Sequence, residues 1–131
     1  MARYYLAKTE PEEYSYDMLE KEGKTVWNGV KNPLAQKFIK QMKKGDLVFI
    51  YHTGKEKAIV GIGKVVSEPY QDENGLYVVD IQSYKRFTKK LTLSEIKKMK
   101  EFQDFYLVKM PRLSVMEVPD DLANLILKLT E

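Results

Sequence analysis

The stretch DLVFIYHTGKEKAIVGIGKVV, residues 46–66, predicts two consecutive β-strands and with them the type of fold. Asp46 to His52 and Ala58 to Val66 are rich in Val, Ile, Phe and Tyr, which favour strands, and a turn around Gly54 separates them. Strands joined by a short turn pair in antiparallel fashion. Gly61 and Gly63 lie on one face of the second strand, where a missing side chain permits strong curvature or the close approach of another chain.

Further strands are predicted on both sides of this pair. The additional apolar or aromatic runs that indicate strands are Arg3 to Lys8, Thr25 to Trp27, Leu76 to Phe87 after a turn at Asp72 to Gly75, Tyr106 to Met110, and Leu113 to Val118. Because neighbouring strands are close in sequence, we expect antiparallel pairing throughout.

Short helices are predicted between or after the strands. Capping residues and apolar stripes at helical spacing place them from Ser15 to Gly23, from Asn32 and Pro33 to Gly45, from Thr92 with its capping-box partner Glu95, and after Pro119. The combination indicates a mixed α/β (α+β) fold, a small curved antiparallel β-barrel with short peripheral helices, in one domain over residues 1–131.

The composition argues against several classes of enzyme. Of 131 residues 44% are hydrophobic, which is enough for a core, while cysteine is absent and His52 is the only histidine. Thiolate nucleophiles, disulfides and histidine-rich metal sites are therefore not expected, and neither are cofactors. No serine-nucleophile, P-loop or zinc-protease motif occurs in the sequence, so we expect no catalytic residues.

Localisation and charge are less informative. The sequence has no run of about 18 apolar residues and no signal-peptide pattern at its start, so we expect a cytoplasmic protein, or a nuclear one in a eukaryote. The net charge of +3 is small, although lysines cluster near residues 37–44 and 85–90. Such clusters attract polyanions, but they are also typical of ordinary solvated surface. Nothing in the sequence bears on oligomeric state.

The single tryptophan, Trp27, lies in an unusual setting. It is followed by Asn28 and Gly29 at the entrance of a polar loop rather than enclosed in an apolar run. An indole beside polar groups suits a flat ligand that stacks on the ring and hydrogen-bonds at its edge, as a nucleobase does. The alternative, a partly buried core tryptophan, remains open on these residues alone.

Five stretches of the sequence, taken together and in this order, resemble the EVE domain family. They are YYLAKTEPEEYSYDML (4–19), VWNGVKN (26–32), MKKGDLVFIYHTG (42–54), IVGIGKVVSEPYQD (59–72) and RLSVMEV (112–118). The resemblance covers nearly the whole chain. It implies a PUA-like barrel, similar to the YTH domains that recognise methylated adenine in RNA. It also implies a non-catalytic module that recognises a modified nucleobase, flipped into an aromatic pocket.

The resemblance implies a set of binding residues as well. The expected ligand is a modified cytosine in DNA, or methyladenine, so that the partner is DNA or RNA carrying a modified base. The residues implied for the base pocket are Trp27, Asn28, Val30, Asn32, Ser15, Tyr51, His52 and Tyr70, and those implied for the rim and phosphate contacts are Lys8, Lys31, Arg112 and Ser114.

Several of these residues have alternative interpretations. Ser15 and Asn32 are also good helix caps, and Tyr51 and His52 point in opposite directions if both lie on a regular strand. Asn28 and Lys31 stand where the family commonly has Asp and Arg, and Pro33 and Leu34 replace a more polar or aromatic pair. An Asn can donate as well as accept, and a Lys lacks the planar fork of Arg, so the preferred base stays open.

Three other functions stay open at this point. The first is RNA binding by a PUA-like protein without selectivity for a modified base. The second is an enzyme acting on nucleotides through His52 or Asp46, and the third is a purely structural role in binding a protein partner.

Overall fold

Seven β-strands run through residues 2–131, the part of the chain that the computed structural model describes. Most of them lie where apolar and β-branched runs predict a strand. In chain order they are β1 (Tyr4–Thr9), β2 (Lys24–Trp27), β3 (Leu47–His52), β4 (Ala58–Val65), β5 (Tyr70–Gln71), β6 (Tyr77–Thr92) and β7 (Val115–Val118).

Five α-helices lie between and after the strands in the same residues. They are α1 (Tyr16–Glu22), α2 (Pro33–Gln41), α3 (Leu93–Lys97), α4 (Tyr106–Lys109) and α5 (Asp120–Leu129), and a 3₁₀ turn covers Lys100–Phe102. The predicted caps are confirmed. Ser15, Asn32 and Thr92 each accept hydrogen bonds from the first turn of their helix, and Thr92 forms the capping box with Glu95.

The strands form a mostly antiparallel sheet in the order β2-β6-β4-β3-β1-β7, and the short β5 pairs with β6. The mixed α/β class and the antiparallel pairing of β3 with β4 are confirmed, with Leu47 opposite Lys64. Within residues 2–131, β2 and β7 stand at opposite ends of this order and are not paired, so the sheet is not a closed barrel. Helix α2 packs against both β6 and β7, which shows that the sheet curls around it.

One strand pair contradicts the expectation of antiparallel pairing throughout. β1 and β3 run parallel, from Tyr4 opposite Leu47 to Thr9 opposite His52. The connection between them contains α1, β2 and α2, and a parallel pair requires such a long crossover. The prediction assumed that each strand pairs with its neighbour in sequence through a short turn, and it therefore missed this crossover.

The structure departs from the prediction at residues 106–110 and at the ends of two elements, since β6 continues to Thr92, past the predicted end at Phe87, and α2 ends early. Residues 106–110 were predicted as a strand, and the alternation of buried Phe105 and Leu107 with the more exposed Tyr106 does have the period of a strand. Tyr106–Lys109 nevertheless form α4, in which the N–H groups of Lys109 and Met110 donate to the carbonyls of Phe105 and Tyr106 at 2.9 and 2.7 Å. Helix α2 was predicted to continue to Gly45 but ends at Gln41. Residues 42–46 form the turn between α2 and β3. The buried Asp46 carboxylate holds this turn, because it accepts hydrogen bonds from the backbone N–H groups of Lys43 (2.9 Å) and Arg3 (3.0 Å).

The glycines of β4 allow close packing on one face, as their spacing predicts. The ring of Tyr16 lies against Gly61, where a Cβ atom would come within 2.7 Å of the Tyr16 Cε2 atom. The Tyr16 hydroxyl donates to the carbonyl of Ile62 at 2.8 Å, and burial raises its pKa. Helix α1 is therefore fixed to the middle of the sheet through one buried tyrosine.

Candidate nucleic-acid interface

A cavity of about 340 Å³ opens beside the end of β2. It lies where the last residues of β1, the loop after β2 and the segment before β7 meet. The residues that line it are Lys8, Thr9, Tyr14, Thr25, Val26, Trp27, Asn28, Gly29, Val30 and Ser114. They combine two aromatic rings, one cation and several main-chain and side-chain polar groups.

Trp27 forms an aromatic wall of this cavity together with Tyr14. Trp27 is the last residue of β2, pairs with Val79 of β6 and is only 8% exposed. The rings of Tyr14 and Trp27 meet edge to face, with centroids 6.4 Å apart and planes at 86°. Burial and the hydrogen bond from the Tyr14 hydroxyl to Glu22 Oε1 (2.5 Å) raise the pKa of Tyr14. The pairing with β6 thus holds Trp27 in place, and the hydrogen bond to Glu22 holds Tyr14.

The loop after Trp27 is anchored by α2. Gly29 has a φ of +77°, a conformation that favours glycine, and it lies in the loop between β2 and α2. The Gln36 amide donates to the carbonyls of Val30 (2.8 Å) and Tyr77 (3.0 Å) and accepts from the Tyr77 N–H (2.8 Å). These bonds connect the loop to β6, so its polar groups are preorganised beside the cavity.

Lys8 supplies the positive charge. Its backbone N–H donates to the Ser114 carbonyl at 2.8 Å, which joins the end of β1 to the segment before β7. Its ammonium group donates to the Pro111 carbonyl at 2.7 Å and lies 5.7 Å from the centre of the Tyr51 ring. Burial lowers the pKa of Lys8. An ammonium has three N–H donors, so the bond to Pro111 uses one of them.

The structure brings some of the predicted binding residues together and separates others. Those that line the Trp27 cavity are Lys8, Trp27, Asn28, Val30 and Ser114. Those outside its lining are Ser15, Lys31, Asn32, Tyr51, His52, Tyr70 and Arg112.

The predicted residues outside the cavity have other contacts. Ser15 and Asn32 hold the first turns of α1 and α2. The Tyr70 hydroxyl donates to Asp80 Oδ1 at 2.7 Å, and this hydrogen bond is the main reason that the Tyr70 pKa is raised. Lys31 and Arg112 are exposed on the surface.

His52 and Tyr51 lie on β3, away from Trp27. His52 is buried, and its Nε2 atom accepts the Tyr16 backbone N–H at 3.1 Å. Nδ1 therefore carries the proton and donates to Glu56 Oε1 at 2.7 Å. Burial raises the Glu56 pKa, but hydrogen bonds from His52 and Lys90 outweigh it, so the net shift is downward. Both ring nitrogens of His52 are engaged within the fold. Tyr51 lines a second cavity, which shares Lys8 with the Trp27 cavity.

Several residues that line the cavity were missed by the prediction from the sequence. Thr9, Tyr14, Thr25, Val26 and Gly29 were not predicted as binding residues. Thr9, Tyr14, Val26 and Gly29 fall inside the stretches that carry the family resemblance, and Tyr14 is an aromatic residue in the same stretch as Lys8. That proximity was a usable signal for a second aromatic wall.

Asn32 offers a test that separates helix capping from ligand binding. Its Oδ1 atom accepts from the backbone N–H groups of Leu34 (2.9 Å) and Ala35 (3.1 Å). We expect Asn32→Ala to lower the free energy of unfolding by about 1 kcal/mol, measured by urea denaturation, and Asn32→Ser to restore most of it. We expect DNA affinity to stay within about twofold of the wild type in both. Lost binding with unchanged stability would instead assign Asn32 to ligand contact.

Two further features of residues 2–131 bear on function. No group of three or more His, Asp or Glu side chains is placed to hold a metal ion. No helix in this part of the chain is long and apolar enough to span a membrane.

Relatives of known structure share the fold closely. The chain aligns with a protein of Rhodopseudomonas palustris solved by NMR at a TM-score of 0.93 and 33% identity, covering 98% of this chain and 93% of that one. It aligns with the human THYN1 protein, crystallised in complex with DNA containing 5-methylcytosine, at a TM-score of 0.91 and 25% identity, covering 99% and 98% of the two chains.

Relatives found by sequence are thymocyte nuclear proteins of vertebrates. Thymocyte nuclear protein 1 of Gallus gallus is 35% identical over 125 residues, which cover 72% of this chain and 51% of that protein. The rat protein of the same name is 37% identical over 84 residues, covering 55% of this chain and 37% of its own length. The chain thus spans between 37% and 51% of the length of these two relatives. The EVE domain model matches residues 3–129. The chain therefore belongs to the EVE domain family.

Proposed function

We propose that this chain binds DNA and recognises a modified cytosine, 5-methylcytosine above all, in the Trp27 cavity without catalysing a reaction. The observation that carries the proposal is the cavity itself, with an aromatic wall, an anchored polar loop and a lysine at its edge. The human THYN1 complex with DNA containing 5-methylcytosine supports it, because the two chains share their fold over almost their whole length.

The size and chemistry of the cavity suit a flipped base. Its volume of about 340 Å³ falls within the range of small-molecule sites. Extruding a base from a duplex costs a few kcal/mol, and stacking on an aromatic side chain contributes about 1–3 kcal/mol per base. In this proposal the Trp27 indole stacks on the base, and Tyr14 holds the indole in place.

The polar groups of the cavity read the base edge. The Asn28 amide can both donate and accept, which matches the donor and acceptor pattern of a cytosine edge. Trp27 and Val30 provide an apolar surface against which a methyl group packs. Lys8 and Ser114 lie at the rim, where they contact the adjacent phosphate, and the exposed Arg112 is two residues away from Ser114.

A fluorescence titration tests this proposal directly. Because Trp27 is the only tryptophan in the chain, its emission reports on this cavity alone. We expect selective quenching by short DNA oligomers that carry 5-methylcytosine, compared with oligomers carrying cytosine, hydroxymethylcytosine, adenine or methyladenine.

Two results would contradict the proposal. Equal affinity for modified and unmodified RNA, with a steep salt dependence, would favour an RNA-binding protein without base selectivity. An unchanged Trp27 signal with every oligomer would return Trp27 to a structural role in the core.

A further inference from the structure

A second cavity of about 310 Å³ lies next to the Trp27 cavity and has Lys8 in its lining. Lys8 lines both, so the two cavities share one wall. The residues that line the second cavity are Lys8, Tyr51, Thr53, Gly54, Lys57, Leu93, Lys97, Leu107 and Pro111. The function described above makes no use of this second cavity.

The charge of the second cavity suits an anion. Three of the residues that line it are lysines, and its lining, within the described residues, contains no Asp or Glu. Two carboxylates lie close. Glu10 Oε2 accepts a hydrogen bond from Thr53 Oγ1 at 3.3 Å, and Glu56, which pairs with Lys90, lines an adjoining cavity together with Lys57 and Lys97. Three positive charges against these two negative charges leave a net positive potential, which favours a phosphate.

Lys57, which lines the second cavity, has an unusual backbone conformation. Lys57 has a φ of +46°, and it is the only residue other than glycine with a positive φ in residues 2–131. The carbonyl of Lys57 accepts the Leu93 N–H at 2.8 Å, which holds this conformation. A residue with a side chain costs free energy in this left-handed backbone conformation, and glycine avoids that cost. Lysine at position 57 is therefore less favourable for stability than glycine would be. Such strain is concentrated at functional positions.

The rest of the lining suits the sugar that accompanies a phosphate. Leu93, Leu107 and Pro111 supply apolar surface, and the Tyr51 ring lies under the Lys8 ammonium group. A charged rim around an apolar floor fits a phosphodiester with its deoxyribose better than a bare inorganic ion.

We propose that this second cavity binds a phosphate of the same DNA strand whose modified base enters the Trp27 cavity. Lys57 and Lys97 contact this phosphate, and Lys8 lies between it and the flipped nucleotide. The inference rests on the proposed function, because it assumes that DNA is the ligand. The inference adds a path for the DNA strand across the protein surface, from the Trp27 cavity past Lys8 to the start of α3.

The variants that test this are Lys57→Gly and Lys97→Gln, with Lys128→Gln as the matched control. Lys128 is an exposed lysine of α5 and lines neither cavity. We expect each cavity variant to weaken binding of a single-stranded oligomer containing 5-methylcytosine by about 2- to 5-fold, the range of an exposed ion pair. Each should also reduce the slope of log affinity against log salt by about 0.7.

Two readouts separate a structural effect from a binding effect. Because Lys57→Gly relieves the positive φ, it should keep or raise the free energy of unfolding while it weakens DNA binding. Binding of the free nucleoside, followed by Trp27 fluorescence, should be unchanged in both variants, since a nucleoside has no phosphate. Cavity variants that match Lys128→Gln in affinity and salt slope would overturn the inference and leave the proposed function intact.

NMR shifts of the Gly54 and Lys57 amides, followed in the wild type, complete the test. A Trp27 response together with shifts at these amides supports both proposals. Amide shifts without any Trp27 response would keep a phosphate site in the second cavity, but they would contradict the proposed function and with it the path of the strand from the Trp27 cavity. No response at either place contradicts both. Inorganic phosphate titrated alone identifies the source of the phosphate. Equal shifts with phosphate and oligomer would assign the cavity to free phosphate and overturn the path along the strand.

Discussion

Trp27→Ala is expected to lower the affinity for DNA containing 5-methylcytosine by about 5- to 150-fold, the equivalent of about 1–3 kcal/mol of base stacking. The loss should be much smaller for an unmodified oligomer, which gains less from the cavity, so the preference for the modified base should disappear. Fluorescence anisotropy of a labelled oligomer measures both affinities, since the variant has no tryptophan of its own.

The size of Trp27 requires a control for stability. The side chain is buried beside Tyr14 and belongs to the core cluster, and truncating a buried tryptophan costs about 3–5 kcal/mol. Trp27→Phe keeps an aromatic face, and Trp27→Leu fills much of the space without one. Stacking predicts the affinity order Trp, Phe, Leu at matched folded fractions. Equal affinities for the Phe and Leu variants would contradict a stacking role.

Gly61→Ala is expected to destabilise the fold by about 2–3 kcal/mol, toward the upper end of the usual cost of overpacking. A Cβ atom at this position would lie 2.7 Å from Tyr16 Cε2, 2.9 Å from Cζ and 3.0 Å from the Lys85 carbonyl oxygen. Tyr16 cannot move aside easily, because its hydroxyl donates to Ile62 and its backbone N–H donates to His52. Urea denaturation measures the loss.

A double-mutant cycle identifies the cause of this loss. In a Tyr16→Leu background the two close ring atoms are gone, so Gly61→Ala should cost less there than in the wild type. The same cost in both backgrounds would place the strain at the Lys85 carbonyl instead. Since Tyr14 precedes α1 by two residues, the Gly61–Tyr16 contact also helps to position the aromatic wall of the Trp27 cavity.

Local features of the fold were predictable because their causes lie within a few residues. The caps at Ser15, Asn32 and Thr92 depend on a side chain and the N–H groups two or three residues later. The hairpin of β3 and β4 depends on two apolar runs and a short turn. The helix α4 was misassigned because a short apolar run has no periodicity long enough to distinguish a helix from a strand.

The candidate site was predictable only in part. The loop after Trp27 could be identified because a tryptophan beside Asn and Gly is unusual, and the family resemblance added Lys8 and Ser114. The same resemblance grouped Tyr51 and His52 with Trp27, although His52 bonds internally to Tyr16 and Glu56, and Tyr51 faces another cavity. Sequence proximity to a motif does not determine which way a strand residue points.

The sequence by itself determined most of the strands and helices, the caps of α1, α2 and α3, and the membership of the EVE domain family. The tertiary structure alone decided which residues share a cavity. Lys8 and Ser114 meet because β7 returns beside β1, and Trp27, on β2 at the other end of the strand order, joins them because the sheet curls around α2. Such contacts depend on the path of the whole chain, whereas caps and periodicity depend on hydrogen bonds and burial within a turn or two.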